Sequence, residues 1–318
     1  MTARPKIVVT RALPAAALAP LHRVGDVWIS PHDRALTTAE LITSINGAAA
    51  VVSMLTDPIG DEVLSAAGPG LRVVANTAVG YDNLDLAAFA HHGVIATNTP
   101  GVLVDATADL TMALLLAVTR RVAEGDRLIR SGAPWSWDVS FMLGDGLQGK
   151  RLGIIGMGHI GQAVARRAIA FGMNVVHAGR RPAAADPAAI PLGELLATSD
   201  VVSLHCPLTA QTHHLIDSAA LSAMKPSAYL INTARGPVVD ESALIDTLRA
   251  RRLAGAGLDV YEHEPEVPLP LREFENVVLA PHLGSATVET RLRMAELAVR
   301  NVLAVLSGEP ALTPLQLS

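Results

Sequence analysis

Residues Leu152–Arg181 read LGIIGMGHIGQAVARRAIAFGMNVVHAGRR. The stretch opens with a short apolar run and continues with Gly156, Gly158 and Gly161 in the pattern G-x-G-x-x-G. A helix-like segment follows, and a second apolar run, Asn174–Ala178, ends the stretch. The whole has the length of about 30 residues that is typical of a β-α-β unit binding a dinucleotide.

Each of the three glycines has its own predicted role. Gly156 permits the tight turn, Gly158 lets a pyrophosphate approach the backbone, and Gly161 lets helix and strand pack closely. The helix N-terminus, at His159 and Ile160, offers N–H groups and a positive dipole end to phosphates. We therefore predict a dinucleotide site here. The alternative is a glycine-rich turn that binds no ligand.

The end of the second apolar run discriminates between cofactors. An NAD site places Asp or Glu there to accept a hydrogen bond from the ribose 2′-OH, but this chain has Gly179, followed by Arg180 and Arg181. Two guanidinium groups can pair with a 2′-phosphate. We predict NADPH as the preferred cofactor, with NADH possible but weaker. If the arginines are only solvated loop charges, the missing carboxylate still argues against strict use of NAD.

Composition limits the classes of protein that fit. The chain has 318 residues, 50% of them hydrophobic, and a net charge of −5, which predicts two globular domains with ample core and no nucleic-acid partner. The single cysteine, Cys206, fits a reducing compartment. The longest apolar run, Leu110–Val118, is too short for a membrane span, and the N-terminus does not resemble a signal peptide. We expect a cytoplasmic protein without a metal site.

The first hundred residues alternate between strand-like and helix-like segments. Strand starts near residues 6, 27, 49, 73 and 94 recur at intervals of 21 to 24 residues. Between them, Pro14–Val24 and Thr37–Ile45 are predicted helices, the second with Thr37 or Thr38 as N-cap and Glu40 available for a capping box. Such alternation predicts a parallel sheet with helices on its faces.

A second α/β domain follows the breaker cluster at residues 98–101. It begins with a long apolar helix, about Ala106–Ile129, and the last predicted helix, Thr287–Leu306, could return to the first domain. We predict two doubly wound parallel sheets: a flavodoxin-like substrate domain of residues 1–98 plus 286–318, and a Rossmann dinucleotide-binding domain of residues 99–285. A cleft between them would suit a small substrate.

Three residues with complementary chemistry follow strands of the second domain: Arg235, Glu264 and His282. Loops at the carboxyl ends of such strands converge at the ligand site. Reduction of a 2-oxo acid needs a proton donor, for which histidine is suited. A carboxylate orients the imidazole, and a guanidinium binds the substrate carboxylate. Asp259 could accept from the nicotinamide amide. A structural ion pair, surface acids and loop histidines are the alternatives, but three such groups together favour catalysis.

Trp135 and Trp137 lie in a loop-like segment, Ser131–Leu147. They either pack in the core or form an exposed contact with a partner subunit. The sequence leaves both possibilities open.

Several motifs together resemble the D-isomer-specific 2-hydroxyacid dehydrogenases, and most closely the glyoxylate/hydroxypyruvate reductases. They span nearly the whole chain. The motifs are Ser53–Asp57 (SMLTD), Asn76–Asp85 (NTAVGYDNLD), Asn98–Asp109 (NTPGVLVDATAD), Thr233–Gly236 (TARG), Gly257–Pro265 (GLDVYEHEP) and Pro281–Thr287 (PHLGSAT).

The resemblance implies roles for individual residues. Arg235 would anchor the substrate, His282 would be the acid/base and Glu264 its partner. The backbone amides of Val79 and Gly80 would hold the substrate carboxylate, with Leu55 lining the pocket. Further cofactor contacts would be Thr107, Pro207, Thr212, Thr233, Ala234, Asp259 and Gly284.

The resemblance also implies an activity and an assembly. The reaction would be NADPH-dependent reduction of glyoxylate or hydroxypyruvate to the D-2-hydroxy acid. The protein would be a homodimer joined through the dinucleotide-binding domains, with Trp135 or Trp137 reaching the neighbouring pocket. Alternatives within the family are a phosphoglycerate dehydrogenase, a D-lactate dehydrogenase and a reductase of bulkier 2-oxo acids. A non-catalytic protein that senses the cofactor is a further alternative.

Overall fold

The computed structural model describes residues 4–179 and 186–316. The chain divides into two compact units, one made of Met1–Leu103 and Ala286–Ser318 and the other of Val104–Ser285. In the described part, the first unit contains a five-stranded sheet and the second a six-stranded sheet, and all strand pairs are parallel. The predicted α/β class with two parallel sheets is confirmed.

The strands lie close to the apolar runs that predict them. Those of the first unit are β1 (Lys6–Val9), β2 (Asp26–Ile29), β3 (Ala48–Ser53), β4 (Val73–Asn76) and β5 (Ile95–Thr97). Those of the second are β6 (Arg151–Ile155), β7 (Asn174–Ala178), β8 (Val201–Leu204), β9 (Tyr229–Asn232), β10 (Gly255–Leu258) and β11 (Val277–Leu279).

Helices connect successive strands in both units. The first unit has α1 (Ala15–Leu18), α2 (Leu21–Val24), α3 (Thr38–Ile45), α4 (Asp61–Ala67) and α5 (Leu86–His92). The second has α6 (Val104–Thr119), α7 (Val122–Ser131), α8 (His159–Ala170), α9 (Leu192–Thr198), α10 (Ser218–Ala223), α11 (Glu241–Arg249) and α12 (Leu269–Glu273). The last helix, α13 (Val288–Leu306), belongs to the first unit.

Two predicted helices are wrong in their extent. The predicted helix Pro14–Val24 is two short helices, α1 and α2, because Pro20 between them has no N–H for a continuous ladder. The predicted helix Ala106–Ile129 is divided into α6 and α7. It breaks because Arg121 adopts a left-handed φ of 54° and the carbonyl oxygen of Thr119 accepts from a loop amide beyond α7.

Both faces of the first sheet are buried. Its strand order is β2-β1-β3-β4-β5, the flavodoxin-like order. Successive strand residues point to opposite faces, so Val8, Val51 and Val74 pack under α3, α4 and α5, whereas Ile7 and Val52 pack under α1, α2 and α13. The first unit is therefore doubly wound.

The second sheet has the order β11-β10-β9-β8-β6-β7. The chain reverses its direction of winding between β6 and β8, which is where open α/β sheets bind ligands, at the carboxyl ends of the strands. The glycine loop follows β6, so the topology brings it beside the loop that follows β8. Within the described residues, no helix has the length and apolar character needed to cross a bilayer.

Candidate active site

The turn between β6 and α8 needs glycine at two positions. Gly156 has φ of 98°, a left-handed conformation that favours glycine. A Cβ on Gly156 would lie 2.6 Å from the carbonyl carbon of His205 in the loop after β8. A Cβ on Gly161 would collide with the carbonyl oxygen of Gly156. Gly156 therefore serves the turn, and Gly161 the close packing of α8 against it.

Nothing in the described chain requires glycine at position 158. The φ of Gly158 is −77°, which any residue can adopt, and a Cβ there would meet no described atom within 4 Å. Gly158 is the N-cap of α8 and, as glycine, offers no side-chain cap to the N–H groups at the positive dipole end of the helix, which begins at His159 and Ile160. A Cβ would fill the space that a phosphate needs to approach these N–H groups, so the loop fits a dinucleotide.

The end of β7 is described only as far as Gly179, which is exposed. Arg180 and Arg181, predicted to select NADPH, lie outside the described residues. Asp186 is the first acid after this strand, and its carboxylate lies 2.8 Å from Nε2 of His177 and accepts from the Ala188 amide. These two hydrogen bonds hold the pKa of Asp186 below its ordinary value. The carboxylate of Asp186 is thus already hydrogen-bonded to His177 and to the Ala188 amide.

Three threonines predicted to contact the cofactor form hydrogen bonds within the second unit. Thr212 donates to the carbonyl oxygen of Pro207 at 2.6 Å, and Thr107 donates to that of Gly284 at 3.0 Å. The hydroxyl of Thr233 lies 2.9 Å from a second buried threonine hydroxyl. These bonds orient the side chains, and the hydroxyl oxygen of Thr212 also accepts from the amide of Thr209 at 2.8 Å.

The loop after β9 holds Arg235 by its backbone. The side chain of Asn232 donates to the carbonyl oxygen of Arg235 at 2.9 Å and accepts from the amide of Ala234 at 3.0 Å. A Cβ on Gly236 would collide with the carbonyl group of Tyr261 in the loop after β10. The two loops are therefore in direct contact, which places Arg235 beside the loop that carries Glu264.

Glu264 and His282 form the pair that the sequence predicts. Oε2 of Glu264 lies 2.7 Å from Nδ1 of His282, and Oε1 accepts from the amide of Tyr261 at 3.1 Å. The two side chains are 30% and 27% exposed, so the pair is ordered by the protein yet reachable from solvent. His282 itself has φ of 56°, and its amide donates to the carbonyl oxygen of Asp259.

Asp259 supports the loop that carries His282. Its buried carboxylate accepts from the amides of Leu283 at 2.6 Å and Gly284 at 2.8 Å. Burial raises the pKa of Asp259, and the two amide hydrogen bonds oppose that rise. The predicted contact with nicotinamide stays a prediction, and the structure adds a second use for the same carboxylate.

Glu262 is separate from this pair although it lies in the same loop. Its Oε1 is 2.7 Å from Nε2 of His214, and its Oε2 accepts from the amide of Glu241 at 3.3 Å. Burial raises the pKa of Glu241, and the charge of Glu262 adds to that rise.

The first unit orders the two residues expected to bind the substrate carboxylate. Asn98 donates to the carbonyl oxygen of Val79 at 2.8 Å, and Asn76 donates to that of Gly80 at 3.1 Å. Leu55 lies half-buried in the turn after β3. Because both carbonyl groups are held, the orientation of the intervening peptide plane is determined.

Three asparagines that position the site were not among the predicted site residues: Asn76, Asn98 and Asn232. Each stands at or just after the end of a strand, and each is followed by threonine. In all three, the side-chain amide holds a carbonyl group of a site loop. The recurring Asn-Thr dipeptide was therefore the signal in the sequence that could have identified them.

Trp135 and Trp137 are 55% and 81% exposed, so packing in the core is wrong for both. Trp135 stacks on Phe141, with ring centroids 6.2 Å apart. The same segment carries Val139 and Leu143, which are also exposed. The segment after α7 thus presents an apolar face.

Comparison with known sequences gives consistent matches. The sequence profile described as D-isomer specific 2-hydroxyacid dehydrogenase, NAD binding domain, matches residues 112–284. The glyoxylate reductase of Thermofilum pendens is 46% identical over 322 residues, covering 98% of this chain and 94% of that protein.

Solved structures are similar over both units. A protein from Thermus thermophilus superimposes with a TM-score of 0.92 at 48% identity, covering 98% of this chain and all of that one. An NADPH-dependent glyoxylate/hydroxypyruvate reductase from Sinorhizobium meliloti, in complex with NADP and malonate, has a TM-score of 0.86 at 33% identity and covers 99% of this chain and 98% of that one.

Proposed function

The chain belongs to the D-isomer-specific 2-hydroxyacid dehydrogenases, and we propose that it reduces glyoxylate or hydroxypyruvate to the D-2-hydroxy acid with NADPH. Membership makes it an oxidoreductase with a nicotinamide dinucleotide-binding domain. The observation that carries the proposal is the 2.7 Å contact between Nδ1 of His282 and Glu264, in loops at the carboxyl ends of the second sheet.

His282 is the proton donor in this proposal. Its Nδ1 is engaged by Glu264, so Nε2 is the nitrogen that delivers a proton to the substrate. When bound, the reduced nicotinamide supplies a hydride to the carbonyl carbon. The carbonyl π bond breaks, and its oxygen takes the proton from Nε2 of His282 to become the hydroxyl group. Glu264 keeps the imidazole oriented through its contact with Nδ1.

The substrate carboxylate is the second group that must be bound. We assign it to the guanidinium of Arg235, which also polarises the carbonyl group, and to the backbone amides of Val79 and Gly80, with Leu55 lining the pocket. Support comes from the asparagine hydrogen bonds that hold the backbone at Arg235, Val79 and Gly80.

The glycine loop would hold the cofactor pyrophosphate at Gly158, His159 and Ile160. The proposal of NADPH over NADH rests on the absence of an acid at Gly179. It is supported by the engagement of Asp186 with His177. Arg180 and Arg181 would then pair with the 2′-phosphate. The other assigned cofactor contacts are Thr107, Gly156, Gly161, Pro207, Thr212, Thr233, Ala234, Asp259 and Gly284.

Assembly and domain roles complete the proposal. We assign substrate binding to residues 1–98 plus 286–318 and cofactor binding to residues 99–285. A homodimer through the cofactor domain would cover the exposed apolar face around Trp135 and Trp137. The single cysteine favours the reducing cytoplasm.

Initial rates with a panel of 2-oxo acids and both cofactors test the proposal. We expect the highest kcat/KM with glyoxylate or hydroxypyruvate and NADPH, and a shift towards NADH in an Arg180→Ala/Arg181→Ala variant. A higher kcat/KM with pyruvate, the 2-oxo acid that corresponds to D-lactate, or with a bulkier 2-oxo acid would identify another enzyme of the family. Cofactor binding without turnover of any substrate would identify a cofactor-sensing protein.

A further inference from the structure

Two consecutive histidines in the loop after β8 lie outside the proposed catalytic residues. His214 has φ of 50°, a conformation that side chains rarely adopt. The rings of His213 and His214 are stacked, with centroids 4.1 Å apart and planes inclined by 28°. The amide of His214 donates to the carbonyl oxygen of Pro237 at 2.8 Å, so the backbone that presents the rings is held.

A carboxylate from another loop completes a cluster of three ligands. Oε1 of Glu262 lies 2.7 Å from Nε2 of His214, and the amide of Glu241 orients its other oxygen. One ligand atom each from His213, His214 and Glu262 lies within 4.8 Å of the other two. Asp240 is near enough for its charge to interact with His214. The surroundings are thus acidic, which favours a cation.

Two imidazoles and one carboxylate form a ligand set that binds Zn²⁺ and leaves a fourth position open. His213 is exposed, so an ion can enter from solvent. An ion pair between His214 and Glu262 alone would need neither the second imidazole nor its stacked placement. We propose that His213, His214 and Glu262 bind one Zn²⁺ ion. The ion would lie on the loop that continues to Glu264.

Asp61, His91 and His92 form the other cluster of this kind among the described residues. His91 and His92 are consecutive residues of α5, so their side chains leave the helix about 100° apart. Their rings meet edge to face at 85° rather than stacking. This cluster serves as the matched control.

The test is equilibrium dialysis of the full chain against ZnCl₂, with zinc measured by mass spectrometry, in the absence of substrate and cofactor. We expect one Zn²⁺ per chain in the wild type. Zinc affinity should fall by about 10–100-fold or more in His213→Asn and Glu262→Gln. It should stay unchanged in a His91→Asn/His92→Asn variant. His213→Asn leaves the His214–Glu262 pair intact, so its effect does not depend on that pair's contribution to folding.

A thermal melt provides a second measurement. Binding to the folded state raises Tm, so ZnCl₂ should raise the Tm of the wild type and of the α5 variant but not that of His213→Asn. Equal zinc binding by wild type and His213→Asn would overturn the proposal. So would loss of zinc in the α5 variant alone, or wild-type protein that binds no zinc.

Discussion

The side-chain amide of Asn232 donates a hydrogen bond to the carbonyl oxygen of Arg235, three residues further along the chain, at 2.9 Å. Asn232 is buried, and its backbone carbonyl oxygen accepts from the amide of Asp259, the residue that follows the neighbouring strand β10. The side chain of Asn232 therefore closes the turn that carries the proposed substrate anchor, and its backbone is held by the sheet.

Replacing Asn232 should disturb the placement of Arg235. Asn232→Asp keeps an acceptor for the Ala234 amide but loses the donor to Arg235 and sets a buried carboxylate oxygen against the Arg235 carbonyl oxygen. A net hydrogen bond contributes about 0.5–1.5 kcal/mol, so we expect kcat/KM for glyoxylate to fall by about 2–10-fold, mainly through KM. Steady-state kinetics measure this. Asn174→Asp is the control, because Asn174 makes a similar amide-to-carbonyl bond to Gly149. Equal kinetics for both variants would remove Asn232 from this role.

The two Glu–His pairs in the second unit offer a matched comparison. Both have contacts of 2.7 Å, Glu264 with His282 and Glu262 with His214. His282→Ala should lower kcat by about 10²–10⁴, the usual contribution of a positioned acid. Glu264→Gln should also lower kcat, whereas Glu262→Gln should leave it near wild type when zinc is chelated. If Glu262→Gln lowered kcat as much as Glu264→Gln, the assignment of the catalytic pair would be wrong.

Substitutions at two glycines of the glycine loop should affect cofactor binding and folding stability separately. Gly158→Ala adds a Cβ in open space, so Tm should not change, but NADPH binding should weaken by about tenfold if the added methyl opposes the pyrophosphate by about 1.4 kcal/mol. Gly161→Ala forces a collision inside the turn and should cost about 1–3 kcal/mol of stability. Fluorescence titration and thermal melts measure the two effects. Gly193→Ala, also in open space but within α9, should leave NADPH binding unchanged and should not lower the stability.

His205 makes stability depend on pH. Its Nε2 lies 2.8 Å from the Ser203 hydroxyl, its Nδ1 is buried, and burial lowers its pKa to about 3 from 6.5. Between pH 6.5 and about 3, His205 therefore binds a proton in the unfolded chain but stays neutral in the folded chain. The contribution of neutral His205 is complete above pH 6.5 and is lost as pH falls towards 3, by up to about 1.4 kcal/mol per pH unit.

Denaturant unfolding between pH 7 and 4.5 measures this dependence. His205→Gln should be less stable than the wild type at pH 7 and should lose stability less steeply as the pH falls. Parallel curves for the two proteins would show that His205 is not the group responsible.

The exposed aromatic segment after α7 is the surface at which we expect the homodimer to form. Trp137→Ser should weaken a dimer by about 2 kcal/mol or more, which is about 30-fold in the dissociation constant. Light scattering across a dilution series measures the change. Trp28→Ser is the control, since Trp28 is exposed in β2 of the other unit. A monomeric wild type would contradict the predicted homodimer.

Local sequence patterns predicted many of the strands and helices. The alternation of apolar runs predicted the strands, and Thr37 with Glu40 predicted the start of α3, where both hydrogen bonds of the capping box are present. The extent of α6 was not predictable in the same way. A continuous apolar pattern does not reveal that a loop amide donates a hydrogen bond to the Thr119 carbonyl oxygen, where α6 ends.

The sequence alone determined the class of sheet, the glycine turn and the residue types available for catalysis, because these depend on periodicity and on residues close in the chain. Only the tertiary structure decided which side chains meet. It paired Glu262 with His214, and it turned three asparagines towards loop carbonyl groups. The Glu264–His282 pair was expected through the family resemblance, and the structure supplied its geometry. The physical reason is the strand order: neighbours in the sheet are distant in sequence, so contacts between their loops follow from how the strands stack and not from any local pattern.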